Sequence, residues 1–287
     1  MRTRHKSAAA VAVFTTLAVL VTLAGCGAPA RKGRYSGTVK VSGSTTVLPL
    51  SQEAATGFMA LNPRANVEVQ GGGSSVGVAQ LMQKVVDVGN SSRELKGDEN
   101  DGTLVDHRIA FDIIVIVVNP ANPVDELSRD QVKAIFTGKV DNWKTVGGPD
   151  KEIVCVVRDQ ASGTREVFDE KALGSTKEHP VESTPSAIEC ASNGVVREIV
   201  GTTRNAIGYI SFGYVNNKVK AVTYGGVEAS VADASTGRYP MARYLHMFTR
   251  GEPEGAVKGY IDFVLSDAFQ AQVVSQEYIK IKDVTVK

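Results

Sequence analysis

Three stretches of this chain repeat one local design: an apolar or β-branched run ends, a few Gly, Ser and Thr residues follow, and a helical pattern begins. They are residues 43–46 (GSTT), 71–75 (GGGSS) and 162–164 (SGT). Strands that alternate with helical patterns at this spacing call for an α/β architecture, built here on mainly parallel sheets. With 287 residues, 43% of them hydrophobic, the chain is long enough for two domains with cores of their own.

Strands are expected near residues 38–41, 67–70 and 153–157. Helices are expected up to about Leu61, where Asn62-Pro63 stops the helix, then around 129–136, and from the 162–164 loop to Leu173. Val78, Leu81, Met82 and Val85 fall on one helical face, and Val257, Tyr260, Ile261, Val264, Leu265 and Ala268 on another. The apolar run 111–118 (FDIIVIVV) reads as a strand covered on both faces. Trp143, the single tryptophan, lies in the turn-rich stretch 137–148, where packing is the plainer role for it than ligand stacking.

A helix N-terminus presents unpaired N–H groups and partial positive charge, so it stabilises an anion without a full counter-charge. Ser and Thr hydroxyls add donors, although they are also ordinary N-caps. The third loop carries Arg158 four residues ahead of Ser162 and Arg165 just after Thr164, and a planar guanidinium fork matches an oxyanion. Residues 87–95 (DVGNSSREL) add Ser91, Ser92 and Arg93 after a short strand. The expected ligand is a small oxyanion held largely by neutral donors.

The formal net charge of +1 argues against a broad nucleic-acid surface. Three cysteines without a Cys-x-x-Cys pair leave no metal or cofactor to expect.

The N-terminus has Arg2, Arg4 and Lys6 ahead of an apolar run, residues 8–23, which reads as an export signal. An uncleaved membrane anchor is the rival reading. The sequence Leu23-Ala24-Gly25-Cys26 resembles the lipobox of bacterial lipoproteins. That resemblance implies a signal peptide over 1–25, lipidation of Cys26, a tether over 26–35, and a place on the extracytoplasmic face of the cell membrane. Removing 1–25 takes three positive charges and no acid, which turns +1 into −2. Cys155 and Cys190 remain, either as a disulfide or as two thiols on neighbouring buried strands.

Residues 41–50 (VSGSTTVLPL), 71–77 (GGGSSVG), 91–96 (SSRELK), 135–148, 158–166 (RDQASGTRE) and 206–214 (AIGYISFGY) together give the chain a wider likeness. It resembles the phosphate-binding proteins of bacterial phosphate ABC transporters, within the periplasmic-binding-protein superfamily. The resemblance implies two α/β lobes with inorganic phosphate in the cleft between them, no catalysis, and delivery to ABC permease subunits. Lobe one would be 36–112 plus 239–287, and lobe two 113–238. Carried over by position, the phosphate ligands would be Thr45, Thr46, Ser74, Arg158, Ser162, Gly163 and Thr164, with Ser44 beside them. Ser92, followed by Arg93, stands where many relatives place an aspartate that accepts the phosphate proton, so sulfate rejection lacks its usual carboxylate.

Two other classes remain in view. Residues 73–77 satisfy G-x-S-x-G, the turn of a serine hydrolase with Ser75 as nucleophile, for which His107, His179 and His246 are the downstream histidines. A receptor or adhesin could be built on the same fold.

Overall fold

β1 (Ser36–Gly43) is flanked in parallel by β2 (Arg64–Gly71) and β3 (Val88–Ser91), with α1 (Leu48–Leu61) and α2 (Ser74–Met82) as the crossovers. The computed structural model describes Gly33–Thr285, so the expected leader, Cys26 and most of the tether lie outside the described residues. Asn62 ends α1 as expected. Val85 does not join the α2 face: Gln83 caps the helix, Lys84 takes φ +60°, and Val85 is left exposed beyond the break.

The longest described strand, β4 (Leu104–Val118), absorbs the whole apolar run and extends it upstream by seven residues. Beyond it come β5 (Glu126–Leu127), α3 (Arg129–Phe136), β6 (Val154–Arg158), α4 (Gly163–Phe168), β7 (Ile188–Cys190), α5 (Asn193–Thr202), β8 (Ala206–Ser211), β9 (Lys220–Ala221), β10 (Thr223–Tyr224) and α6 (Val231–Ser235). The chain then returns through β11 (Ala242–Arg250) to α7 (Gly255–Leu265). Ser128 and Gln131 form a capping box on α3, and α4 runs on as a π-helical turn to Leu173.

Two large hydrophobic cores result, with a small satellite cluster of Val78, Leu81 and Phe248 beside them. One gathers Val39, Val41, Leu50, Phe58, Leu245 and Tyr260; the other gathers Ile114, Val118, Phe136, Trp143, Phe168 and Tyr209. β4 gives Ile109 and Ala110 to the first and Phe111 onward to the second, while Met241 and Leu245 divide between the cores in the same way. Trp143 is buried packing, its indole N–H donating to Asn205 O at 2.9 Å.

The sheet path is β2-β1-β3-β11-β4-β8-β6-β7, parallel on both flanks as expected and antiparallel at its centre. β1, β2 and β3 are parallel, as are β6, β7 and β8, but β11 runs antiparallel to both β3 and β4, and β4 antiparallel to β8. A chain that crosses between the same two cores once outward and once back must cross in opposite directions, which puts antiparallel pairs at the junction.

The candidate disulfide is corrected. Cys155 and Cys190 are free buried thiols. In the parallel β6/β7 register Cys190 faces Arg158, three residues from Cys155. Three residues along a strand are about 10 Å, beyond disulfide reach, and the odd offset sends the two side chains to opposite faces.

Gly43 ends β1 at φ +136°, and a Cβ there would lie 2.2 Å from Asn90 O. Only glycine lets the first loop turn this close to β3.

Candidate functional site

The first loop leaves β1 at Gly43, and Thr45 and Thr46 sit in the turn ahead of α1. Two tyrosines from distant parts of the chain pin that turn: Tyr214 donates to Thr45 O at 2.6 Å and Tyr278 to Thr46 O at 2.8 Å. The loop is therefore held by tertiary contacts, with its hydroxyls left to do other work.

Across the cleft, Arg158 ends β6. Its Nε donates to Cys190 O at 3.1 Å and its Nη2 to Ala191 O at 3.0 Å and to Thr45 Oγ1 at 3.1 Å. Nη1 has no partner although the side chain is 1% exposed. Burial pulls the Arg158 pKa down from its ordinary value, and neighbouring Asp159 pulls it back up. A buried guanidinium nitrogen without an acceptor is costly, so this one is poised for an anion.

The remaining expected residues converge on the same spot. Thr46 Oγ1 lies 3.1 Å from Thr164 Oγ1, and Ser74 Oγ lies 3.3 Å from Ser92 Oγ while accepting from Ser92 N at 3.1 Å. Gly163 packs against this serine pair, since a Cβ on it would stand 2.5 Å from Ser74 Oγ and 2.9 Å from Ser92 Oγ. Ser44 is buried and its Oγ accepts from Thr46 N at 3.2 Å, a turn-forming bond. Ser162 is the one N-cap of the three loops, its Oγ accepting from Arg165 N at 3.2 Å; Ser74 makes no such bond. Ser44, Thr45, Thr46, Ser74, Ser92, Ser162 and Thr164 are all buried.

Two arginines serve other ends than the sequence pattern implies. Arg93 sends Nη1 and Nη2 to the two oxygens of Glu99, each at 2.7 Å, and its Nε lies 3.0 Å from Glu166 of α4. None of its bonds goes to the threonine hydroxyls, and with Lys96, also 3.0 Å from Glu166, it ties the two sides of the cleft together. Arg165 donates to Arg158 O at 2.8 Å and to Glu189 at 2.6 Å, so it braces the strand end that presents Arg158.

Four further residues join the cluster without a local motif that marks them. Asn193, at the start of α5, donates to Thr46 Oγ1 at 3.0 Å and accepts from Ser211 N at 3.2 Å. Asp112 and Arg243 are register partners on β4 and β11 and form a buried ion pair at 2.8 Å. Ser211 donates to Asp112 at 2.6 Å, and Arg243 Nη2 also reaches Thr46 Oγ1 at 3.2 Å and Thr164 Oγ1 at 2.9 Å. Burial pushes the Asp112 carboxyl above its usual range and pulls Arg243 below its own, each countered by the other's charge. One signal was present: Asp112 is the single acid in the apolar run 111–118, and a buried carboxylate needs a cation.

The hydrolase reading finds no support. Ser75 Oγ accepts from Arg93 Nη2 at 3.1 Å, whereas His107 pairs with Thr249 and His246 with Asp106, and His179 lies in an exposed loop. One Glu/Asp/His group, Glu94, Asp106 and His246, lies close together among the described residues. The Arg108 guanidinium stands 3.5 Å from Glu94 and 3.6 Å from Asp106, supplying positive charge there already.

Residues 28–268 match the family model described as PBP superfamily domain. The chain is 38% identical over 259 residues to the phosphate-binding protein PstS of Bacillus subtilis, covering 88% of this chain and 84% of that one. The chain belongs to the phosphate-binding-protein family. PstS of Borreliella burgdorferi is 30% identical, over 85% of this chain and 90% of its own. Among solved structures, one from Clostridium perfringens, described as a phosphate ABC transporter substrate-binding protein with bound phosphate, gives a TM-score of 0.81. It is 36% identical, over 85% of this chain and all of that one. A phosphate transport receptor from Vibrio cholerae gives 0.70 at 33% identity, over 84% of this chain and 99% of its own. These are binding proteins of transporters rather than enzymes, with the two-lobed α/β architecture expected from the sequence.

Proposed function

We propose that the chain binds inorganic phosphate between its lobes and hands it to the permease subunits of an ABC transporter. The observation that carries this reading is Arg158, buried with Nη1 unpaired beside hydroxyls contributed from both sides of a sealed cleft. Thr45, Thr46, Ser74 and Ser92 approach the ligand from one lobe, and Arg158, Ser162, Gly163 and Thr164 from the other. The lobes run 36–112 plus 239–287, and 113–238. The hydroxyl cluster is out of contact with solvent, so phosphate enters only when the lobes part. Its desolvation is then offset by donors that reach it together on closure.

Titration calorimetry on the domain from residue 33 onward tests the reading. Phosphate should bind saturably at one site per chain. Absence of a phosphate signal at millimolar concentration sinks it.

The second part of the reading is a lipid anchor at Cys26 on the extracytoplasmic face, supported by the lipobox-like 23–26 sequence. Among the described residues no helix is long and apolar enough to cross a membrane. Cys26→Ser should abolish lipid labelling and move the processed protein out of the detergent phase. Equal detergent partitioning of both forms, each with its N-terminal peptide intact, would mean an uncleaved anchor instead.

A further inference from the structure

Arg243 was not among the residues carried over by position, yet it stands where the two lobes meet. β4 and β11 are the strands that cross between the cores, and Arg243 and Asp112 face each other in their register. One nitrogen, Nη2, contacts Thr46 Oγ1 of the first loop and Thr164 Oγ1 of the third. Nη1, on the same planar fork, has no partner although Arg243 is 6% exposed. It is thus a second buried guanidinium in this cluster, besides Arg158, with an unpaired nitrogen.

We infer that Arg243 is a direct ligand of the bound phosphate and a determinant of its affinity, an inference that rests on the phosphate-binding reading above. Three features support it. First, Asp112 accepts from Nε at 3.2 Å and from Nη2 at 2.8 Å, which fixes the plane of the fork and leaves Nη1 as its free corner. Second, Arg243 and Asn193 together fill the acceptor side of Thr46 Oγ1, so that hydroxyl donates its own hydrogen to Thr164 Oγ1 at 3.1 Å. Arg243 Nη2 also lies 2.9 Å from Thr164 Oγ1, so with Thr46 donating to it Thr164 keeps its own hydrogen as the donor toward an anion. Third, Arg243 pairs with Asp112, so the buried Asp112 carboxylate does not cancel the positive charge that Arg158 offers an anion.

The geometry also makes Arg243 a closure contact. Its bonds to Thr46 and Thr164 exist together only when the two loops are brought side by side, so ligand contact and lobe closure depend on the same guanidinium.

The test is the double replacement Arg243→Met with Asp112→Asn, which removes one charge of each sign and leaves no buried ion unpaired, an exchange that folds commonly tolerate. Phosphate affinity measured by calorimetry should fall at least tenfold while the thermal midpoint stays near wild type. Arg243→Lys, which keeps the charge and loses the fork, should lose at least threefold. Wild type titrated alongside separates the two claims: no binding by wild type sinks the phosphate reading, whereas normal binding by wild type and by the double variant overturns the role of Arg243. Should the variants fail to fold, a crystal structure of wild type grown with phosphate decides. Nη1 within hydrogen-bond distance of a phosphate oxygen is the expected result, and Nη1 turned away from the anion overturns the inference.

Discussion

Arg158→Ala should weaken phosphate binding by at least tenfold, and by about a hundredfold if both outer nitrogens engage the anion. Nη1 is unpaired in the buried site and Nη2 touches Thr45 Oγ1, so the fork presents two donors to the cleft. A hydrogen bond to a charged group contributes roughly 1.5–3 kcal/mol, and each ~1.4 kcal/mol is a decade of affinity. Arg158→Lys should fall between, because a single ammonium replaces a fork already held in place by Cys190 O and Ala191 O. Calorimetry with phosphate measures all three proteins. Unaltered affinity in Arg158→Ala would move the site elsewhere in the molecule.

The second large effect is expected at Gly163, where a methyl group should oppose closure without harming either lobe. Its Cβ would meet Ser74 Oγ at 2.5 Å, Ser92 Oγ at 2.9 Å and Arg93 Cγ at 3.1 Å, all on the far side of the cleft. The serines are buried and bonded to each other, and Arg93 is tied to Glu99 and Glu166, so none yields freely. Gly163 is the first residue of α4, and alanine is a better helix former than glycine by ~1 kcal/mol. Gly163→Ala should therefore leave the thermal midpoint of the unliganded protein unchanged or raised while phosphate affinity drops at least tenfold. X-ray scattering gives the structural readout: wild type should contract on adding phosphate and the variant should not. Contraction of both to the same radius would show that the cleft accommodates the methyl group.

Much of this site was legible because its parts are local. A strand, a Gly/Ser/Thr loop and a helix follow one another within a few residues. The three loops and Arg158 could thus be found from short patterns, the resemblance singled out Thr45, Thr46, Ser74, Ser162 and Thr164 within them, and the structure buries them together. Trp143 could likewise be placed as packing. Pairings over longer range are not legible in this way. Arg93 looked like a ligand beside Ser92, but the neighbouring Glu99 and the distant Glu166 claim its guanidinium, and charge pairing across a fold leaves no periodic trace. Cys155 and Cys190 invited a bridge, yet a register one strand over sets them three residues apart and on opposite faces.

What the sequence determined by itself was the α/β grammar and the Gly/Ser/Thr loops, because strand, turn and helix preferences act over a handful of neighbouring residues, while its longer motifs carried the resemblance to the family. What only the tertiary structure decided was how the loops meet. Thr46 and Thr164 are 118 residues apart, and Asp112 and Arg243 131 apart. Their contacts exist because β4 and β11 cross between the two cores in opposite directions and carry the pair to the junction. Arginine and aspartate in isolation read as solvated surface charges. Burial turns them into an interior ion pair, and burial is a property of the assembled sheet rather than of any segment.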